Sequence, residues 1–198
     1  MKIIGITGGI GSGKSVVLDL LKEQYHAYVV ETDTLAHRLM EPDGNLYPNI
    51  ISAFGRDILA ADGLIDRKKL GSIVFKDEEQ LALLNRIVHP GVKDYIFSDM
   101  DEKRKEGKIS LYVIESAILI ETGLGDICDE CWYVYVEKEE RIRRLILGRG
   151  GTKEKWLEVM ARQQSDAFYR DKCEHTVNNS GNVENTANIV KEVLFSTI

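Results

Sequence analysis

Short apolar runs alternate along this chain with apolar positions at helical spacing. Ile3 to Thr7 predicts a strand, and the later runs predict four more, at Ala27 to Glu31, Leu111 to Ile120, Cys131 to Val136 and His175 to Val177. Helices are predicted at 15–24, 34–40, 78–88, 91–105, 138–148, 153–169 and 183–195. Because the strand runs are continuously apolar, they are typical of a parallel sheet buried on both faces. The predicted fold class is α/β, a three-layer parallel sheet with helices on both sides.

Two stretches interrupt this alternation. Residues 41–107 are helical by pattern and contain all three prolines, which predicts a helical insertion on the sheet. Residues 148–172 begin with three closely spaced glycines and continue as a charged amphipathic helix, which predicts a mobile helical lid. The predicted core is the remainder, 1–40, 108–147 and 173–198.

Composition narrows the function classes. The net charge of −6 disfavours a nucleic-acid coat, because phosphate neutralisation needs a surplus of Lys and Arg. No apolar run approaches the roughly 20 residues that span a bilayer, and the N-terminus does not look like a secretory signal. Three cysteines are too few for a disulfide scaffold. We therefore expect a cytoplasmic protein, without nucleic-acid or membrane partners, that is a monomer or a weak homo-oligomer.

The clearest motif runs from Gly8 to Ser15 and fits G-x-x-x-x-G-K-[ST] between the first strand and the first helix. Glycines let successive backbone N–H groups converge on phosphate, and the following helix N-terminus adds donors. Lys14 supplies a positive charge and Ser15 a hydroxyl for Mg²⁺, so the motif predicts binding of a nucleoside triphosphate. The predicted nucleotide-binding residues here are Gly9, Gly11, Ser12, Gly13, Lys14, Ser15 and Val16. The alternative is a glycine-rich turn without a ligand.

Asp33 follows the second predicted strand, which we place next to the first. Ligands bind at the carboxyl ends of parallel strands, so this carboxylate is the predicted catalytic base for an attacking hydroxyl. The alternative is that Asp33 caps the helix at 34–40. His37 lies four residues later on the same helical face and is a candidate substrate contact.

The chain length is typical of small-molecule kinases, and no N-K-x-D guanine motif is present. Residues 138–172 hold ten Lys or Arg against six Asp or Glu, which favours a basic arm that clamps phosphates. Arg149 is the preferred clamp, ahead of Arg141, Arg162 and Arg170. For most of these residues the alternative is a solvated helix face. Glu115 is either a solvent-facing strand end or a residue that orients a Mg²⁺-bound water.

Several segments resemble the dephospho-CoA kinase family. The similar segments are Thr7 to Ser15, Glu31-Thr-Asp33 with Leu35-Ala36, Glu41-Pro42 with Gly44, Ala61 to Leu70 with Ile73-Val-Phe75, Asn85 to Pro90, Ala117 to Glu121, Gln163 and Asn179-Ser-Gly181. The phosphate loop is shared by many enzymes, whereas the D-G-x-I-D-R and H-P segments are more specific. Together the similar segments span residues 3 to 181.

This resemblance implies an ATP-dependent transfer of phosphate to the ribose 3′-hydroxyl of dephospho-CoA, with Mg²⁺. It implies that the insertion binds CoA and that 148–172 closes as a lid. The implied catalytic residues are Asp33, Lys14 and Arg149. The resemblance adds Asn179 and Gly181 on the adenine side, and His89 and Glu121 on the acceptor side. Val16, Ala117, Gly150 and Val159 depart from the family pattern.

Other candidates are weaker. Cys128-x-x-Cys131 is half of a zinc motif without a second pair, so packing is favoured over metal binding. His89 before Pro90 is either a site residue or the end of a helix. The rival functions are another small-molecule kinase acting on a nucleoside, nucleotide or sugar acid, and a non-catalytic nucleotide-binding regulator.

Overall fold

The computed structural model describes residues 1–196. The strands are β1 (Lys2–Thr7), β2 (Tyr28–Glu31), β3 (Leu111–Glu115), β4 (Glu130–Tyr135) and β5 (His175–Asn178). The helices are α1 (Lys14–Tyr25), α2 (Thr32–Leu39), α3 (Tyr47–Phe54), α4 (Arg67–Val74), α5 (Glu78–Glu106), α6 (Lys138–Arg149), α7 (Lys153–Ala161), α8 (Asp166–Lys172) and α9 (Val183–Ser196).

The strands form one parallel sheet in the order β2-β3-β1-β4-β5. The strand β1 lies in the middle, with Ile6 opposite Glu115 of β3 and opposite Trp132 of β4. The predicted α/β parallel fold is confirmed. The expectation that β2 borders β1 is wrong, because β3 lies between them. Glu115 therefore ends the strand that neighbours β1.

Alternate residues of the sheet face different helices, which accounts for the continuously apolar strands. Ile4, Ile6 and Trp132 are fully buried in a cluster with residues of α1 and α9. On the opposite face, Tyr133 of β4 stacks on Tyr169 of α8 with ring centroids 4.9 Å apart. Helices thus cover both faces, as the three-layer prediction requires.

The chain divides into two compact units, one of residues 1–30 with 107 onward and one of residues 31–106. In the second, helical unit, α2, α3 and α4 all pack on α5. The guanidinium of Arg38 in α2 lies 4.8 Å from the ring centroid of Tyr95 in α5. The helix α2 belongs to this unit because it packs on α5. Residues 148–172 fall within the unit that contains the sheet.

The predicted break around Pro90 is absent, since α5 continues from Glu78 to Glu106 with this proline inside it. A proline in a helix interior costs about 3 kcal/mol or more. Packing opposes that cost, because Val92 and Ile96 are buried on the following turns. A Cβ on Gly91 would lie 2.2 Å from Leu46 Cδ2, so the helix meets its neighbour closely beside the proline.

Two further boundaries differ from prediction for local reasons. The strand β3 ends at Glu115 rather than Ile120, because a turn follows in which Ile118 N donates to Ser116 Oγ at 3.3 Å. The helix predicted at 153–169 is two helices, because Ser165 starts a new one by accepting from Phe168 N at 3.1 Å. In residues 1–196, no helix combines the length and apolarity needed to span a bilayer.

Candidate active site

The motif from Gly8 to Ser15 forms the loop between β1 and α1, the context in which it was predicted to bind phosphate. Gly11 and Gly13 have φ of 77° and 75°, backbone conformations that glycine adopts without strain. Gly13 is the N-cap of α1, and no side chain caps the helix there. The first N–H groups of α1 are therefore not consumed by a side-chain cap and can bind an anion.

Close approach of other side chains also requires glycine in this loop. A Cβ on Gly9 would lie 2.2 Å from Arg141 Nη2, and one on Gly13 would lie 2.4 Å from Asn179 Nδ2. A Cβ on Gly11 would lie 2.9 Å from Leu145 Cγ. The loop is thus built against α6 on one side and the segment after β5 on the other.

Lys14 is held by two oxygens of the sheet unit. Its Nζ donates to the Gly8 carbonyl oxygen at 3.0 Å and lies 3.4 Å from Glu115 Oε1. Glu115 arrives there because β3 pairs with β1. The neighbouring Ser15 is exposed, on the first turn of α1. Its hydroxyl is a hard oxygen ligand of the kind that Mg²⁺ prefers.

Arg141 and Gln163 fix the residue at the tip of the loop. Ile10 N donates to Gln163 Oε1 at 2.9 Å, and Arg141 Nε donates to the Ile10 carbonyl at 3.0 Å. Arg141 is only 7% exposed and also lies 3.7 Å from Asp166. Arg141, not Arg149, is the arginine that contacts the loop in this structure. Its spacing of four residues from the apolar Leu145 places both on one helix face, a signal that would have pointed to an inward-facing arginine.

The other basic candidates lie elsewhere. Arg149 is exposed at the last residue of α6 and makes no hydrogen bond or ion pair with residues 1–196. Arg162 is exposed just after α7. Arg170 stacks on Tyr135, with its guanidinium carbon 4.6 Å from the ring centroid. The role of Arg149 as a clamp remains a prediction for a different position of the lid.

Asn179 and Gly181 lie between β5 and α9. Gly181 is exposed, whereas Asn179 is 3% exposed and donates from Nδ2 to the carbonyls of Ser12 at 2.9 Å and Gly13 at 3.3 Å. Thr186, which the sequence did not single out, donates to Asn179 Oδ1 at 2.8 Å. Val16 is partly buried against the core rather than open to solvent. Asn179 therefore contacts the phosphate loop by donating to its backbone carbonyls.

Three acceptor-side candidates lie in the helical unit. Asp33 is exposed in the first turn of α2, and the N-cap of that helix is Glu31 rather than Asp33. His37 lies one turn later, with its two ring nitrogens 3.1 and 3.2 Å from Arg67 Nη1. His89 is half-buried in α5, and burial lowers its pKa below the ordinary value.

A shallow cavity adjoins His37. Its volume is about 130 Å³, and it is lined by His37, Met40, Glu41, Leu64, Ile65 and Arg67. Arg67 is the arginine of the D-G-x-I-D-R segment, whose role the sequence pattern alone does not indicate. The guanidinium of Arg67 supplies a positive charge in a planar fork, which is suited to phosphate or carboxylate groups.

Glu121 lies in the sheet unit, exposed in the turn after β3. Its charge is a smaller contributor, after burial, to raising the pKa of Tyr169 to about 12. Cys128 and Cys131 are free thiols, and within residues 1–196 no cluster of three or more His, Cys, Asp or Glu is arranged to hold a metal ion. The half zinc motif therefore has no further ligands in the described chain.

Comparisons with known proteins place this chain in one family. The family model described as dephospho-CoA kinase matches residues 2–185. The dephospho-CoA kinase of Geobacter sulfurreducens is 36% identical over 193 residues, covering 98% of this chain and 97% of that protein. A crystal structure from Thermus thermophilus is 30% identical with a TM-score of 0.82, covering 100% of this chain and 98% of the other.

A dephospho-CoA kinase from Campylobacter jejuni, 21% identical with full coverage of both chains and a TM-score of 0.71, shares the fold. The family match covers the phosphate loop, the helical unit and the arginine and glutamine that hold the loop. This chain belongs to the dephospho-CoA kinase family.

Proposed function

We propose that this protein transfers the γ-phosphate of ATP to the ribose 3′-hydroxyl of dephospho-CoA, giving CoA and ADP. The observation that carries the proposal is the family match over residues 2–185. The intact phosphate loop between β1 and α1 supports it independently, because it supplies the donors that a triphosphate needs.

The phosphate loop is the proposed ATP site. The backbone N–H groups of Gly11 and of Gly13 to Ser15 bind the phosphates. The Lys14 ammonium leaves the Gly8 carbonyl and the Glu115 carboxylate to bind phosphate oxygens. Arg141 and Gln163 hold Ile10 in place, so the loop is shaped before ATP arrives. Pre-shaped donors stabilise the transition state more than mobile ones, because little reorganisation remains to be done.

Asp33 is the proposed base. It accepts the proton of the 3′-hydroxyl while the hydroxyl oxygen bonds to the γ-phosphorus and the bond to the bridging oxygen breaks, releasing ADP. Its exposure on α2, free of a capping role, supports this assignment. His37, His89 and Glu121 are the proposed acceptor contacts. Arg149 is the proposed clamp once residues 148–172 have closed as a lid.

Ser15, together with Glu115, is the proposed holder of Mg²⁺. When bound, the ion neutralises charge on the β- and γ-phosphates. We further propose that residues 41–107 bind the CoA moiety and that the protein works in the cytoplasm as a monomer or weak homo-oligomer.

The test of catalysis compares wild type with Asp33→Asn. A missing base should lower kcat by at least about 100-fold, since general base catalysis contributes roughly 10²–10⁴. The dissociation constant for ATP should stay within about twofold, because the phosphate loop is untouched. A regulator with no kinase activity would show the same ADP release in both proteins.

The test of the acceptor uses purified protein, ATP, Mg²⁺ and a panel of alcohols that includes dephospho-CoA, adenosine, AMP and shikimate. ADP release should require dephospho-CoA, and the product should carry a 3′-phosphate by ³¹P NMR. Transfer to another member of the panel, with none to dephospho-CoA, would overturn the proposed acceptor.

A further inference from the structure

Asn179 uses its whole side-chain amide inside the protein. Its Nδ2 donates to the carbonyls of Ser12 and Gly13, at 2.9 and 3.3 Å. Its Oδ1 accepts from the hydroxyl of Thr186 at 2.8 Å. A primary amide has two N–H donors, so both are engaged. At 3% exposure, Asn179 also has little surface to offer a ligand.

The two carbonyls that Asn179 holds determine where two phosphate donors point. A peptide unit is planar and trans, so the direction of one carbonyl fixes the N–H of the next residue on the opposite side. Holding the Ser12 carbonyl thus fixes the N–H of Gly13, and holding the Gly13 carbonyl fixes the N–H of Lys14. Both N–H groups belong to the phosphate loop. Gly13 at φ 75° also lacks the Cβ that could restrict this segment.

Thr186 anchors the amide of Asn179 from the side opposite the loop. It is fully buried, and its hydroxyl reaches Asn179 Oδ1 from α9. An amide rotated by half a turn would point its oxygen at the Ser12 and Gly13 carbonyls, an arrangement of acceptors without donors. The two carbonyls therefore select the orientation in which Nδ2 donates to the loop. The Thr186 hydroxyl, which also lies 3.2 Å from the Asn182 carbonyl oxygen, anchors the amide oxygen on the other side. The Asn179 N–H is bound to the Tyr135 carbonyl at 2.8 Å, which fixes the backbone from which the amide extends.

We propose that Asn179, anchored by Thr186, is a positioning residue that aims the Gly13 and Lys14 N–H groups at the nucleotide phosphates. It acts on the phosphates through the loop and does not contact adenine. This assignment differs from the adenine-side role that the family resemblance implies. It deepens the proposed ATP site without depending on the identity of the acceptor.

Inorganic tripolyphosphate separates the two roles, because it carries the phosphates without a base. We would measure dissociation constants for ATP and tripolyphosphate by calorimetry in wild type, Asn179→Asp, Thr186→Val and Thr186→Ser. Asn179→Asp keeps the shape but removes the donors, so both ligands should bind at least about 10-fold more weakly, by the same factor. Thr186→Val should weaken both about 3- to 10-fold, and Thr186→Ser, which keeps the hydroxyl, should recover wild-type binding.

Asn178→Asp is the matched control. Asn178 is the exposed neighbour, whose Oδ1 accepts from Ser180 N at 3.0 Å, away from the loop carbonyls. It should bind both ligands like wild type. Thermal unfolding of each variant shows whether weaker binding comes from an unfolded protein or from misdirected N–H groups in a folded one. If Asn179→Asp does not fold, Thr186→Val provides the test.

Weaker ATP binding with unchanged tripolyphosphate binding would overturn the proposal in favour of an adenine contact. Unchanged binding of both ligands in Asn179→Asp and Thr186→Val would overturn any role for the pair. Neither result depends on dephospho-CoA, so an error in the proposed acceptor would not imitate them.

Discussion

The ammonium of Lys14 lies 3.4 Å from the carboxylate of Glu115, at the end of the strand adjacent to β1. Both side chains are mostly shielded, at 17% and 13% exposed. The same ammonium donates to the Gly8 carbonyl at 3.0 Å. Lys14 is therefore held inside the loop by protein oxygens, and phosphate oxygens must compete with them.

Glu115→Gln should tighten binding of ATP in the absence of Mg²⁺ by about 3- to 10-fold, because a negative charge that competes for Lys14 and repels the phosphates is removed. Turnover with Mg²⁺ should fall at least about 10-fold if Glu115 also orients the ion. Calorimetry with EDTA and a coupled ADP assay measure the two effects. Glu23→Gln, an exposed charge change on α1, is the control. Unchanged or weaker metal-free binding would contradict the competition.

Gly9→Ala should weaken ATP binding by at least about 10-fold. The new Cβ would lie 2.2 Å from the guanidinium of the buried Arg141 and 3.0 Å from Gln163 Oε1, the two groups that hold Ile10. The control is Gly148→Ala within α6, where a Cβ meets nothing within 4 Å. That change should stabilise the protein by about 0.5–1 kcal/mol, since alanine is the better helix former. ATP binding by Gly9→Ala within twofold of wild type would argue against this support.

Arg141 and Arg149 should fail in different ways. Arg141→Lys should weaken ATP binding at least about 10-fold, because lysine cannot replace a planar group that contacts Ile10, Gln163 and Asp166 together. Arg149→Ala should leave ATP binding within about twofold, because Arg149 is exposed. Its kcat should fall at least about 100-fold if it reaches the transferring phosphate. Binding by calorimetry and kcat by ADP release separate the two, and the reverse pattern would exchange their roles.

The features of this protein that are determined by residues close together in the chain could be predicted from the sequence. The phosphate loop is eight consecutive residues, and the strands and their burial follow from short apolar runs. The strand order could not be derived in the same way, because nothing local to β2 says that β3 intervenes. The continuation of α5 through Pro90 could not be predicted either, because it depends on tertiary packing that opposes the tendency of proline to break a helix.

The residues that support the loop are distant in sequence. Arg141 is separated from Ile10 by 131 positions and Asn179 from Ser12 by 167. A pattern search recognises the loop but not its supports, since their spacing depends on every intervening element. Thr186 illustrates this, because only its buried contact with Asn179 distinguishes it from other helical threonines.

His89 should make the stability of the protein depend on pH below neutrality. Burial lowers its pKa in the folded state, whereas the unfolded chain has the ordinary value of about 6.5. Below that value the unfolded state binds the proton first, so its free energy falls relative to the folded state. Stability contributed by the neutral imidazole is thus present above about pH 6.5 and is lost as the pH falls toward the folded pKa.

As the pH falls from 7.5 to 5.0, the free energy of unfolding of His89→Asn should therefore rise relative to that of wild type. The slope of this difference should be at most about 1.4 kcal/mol per pH unit. Urea unfolding at several pH values measures the difference. His26→Asn, at an exposed position where φ is 53° and asparagine is tolerated, controls for the loss of an imidazole. If the free energy of unfolding of His89→Asn stays a constant amount away from that of wild type, or falls relative to it as the pH falls, then burial of this histidine does not oppose its protonation.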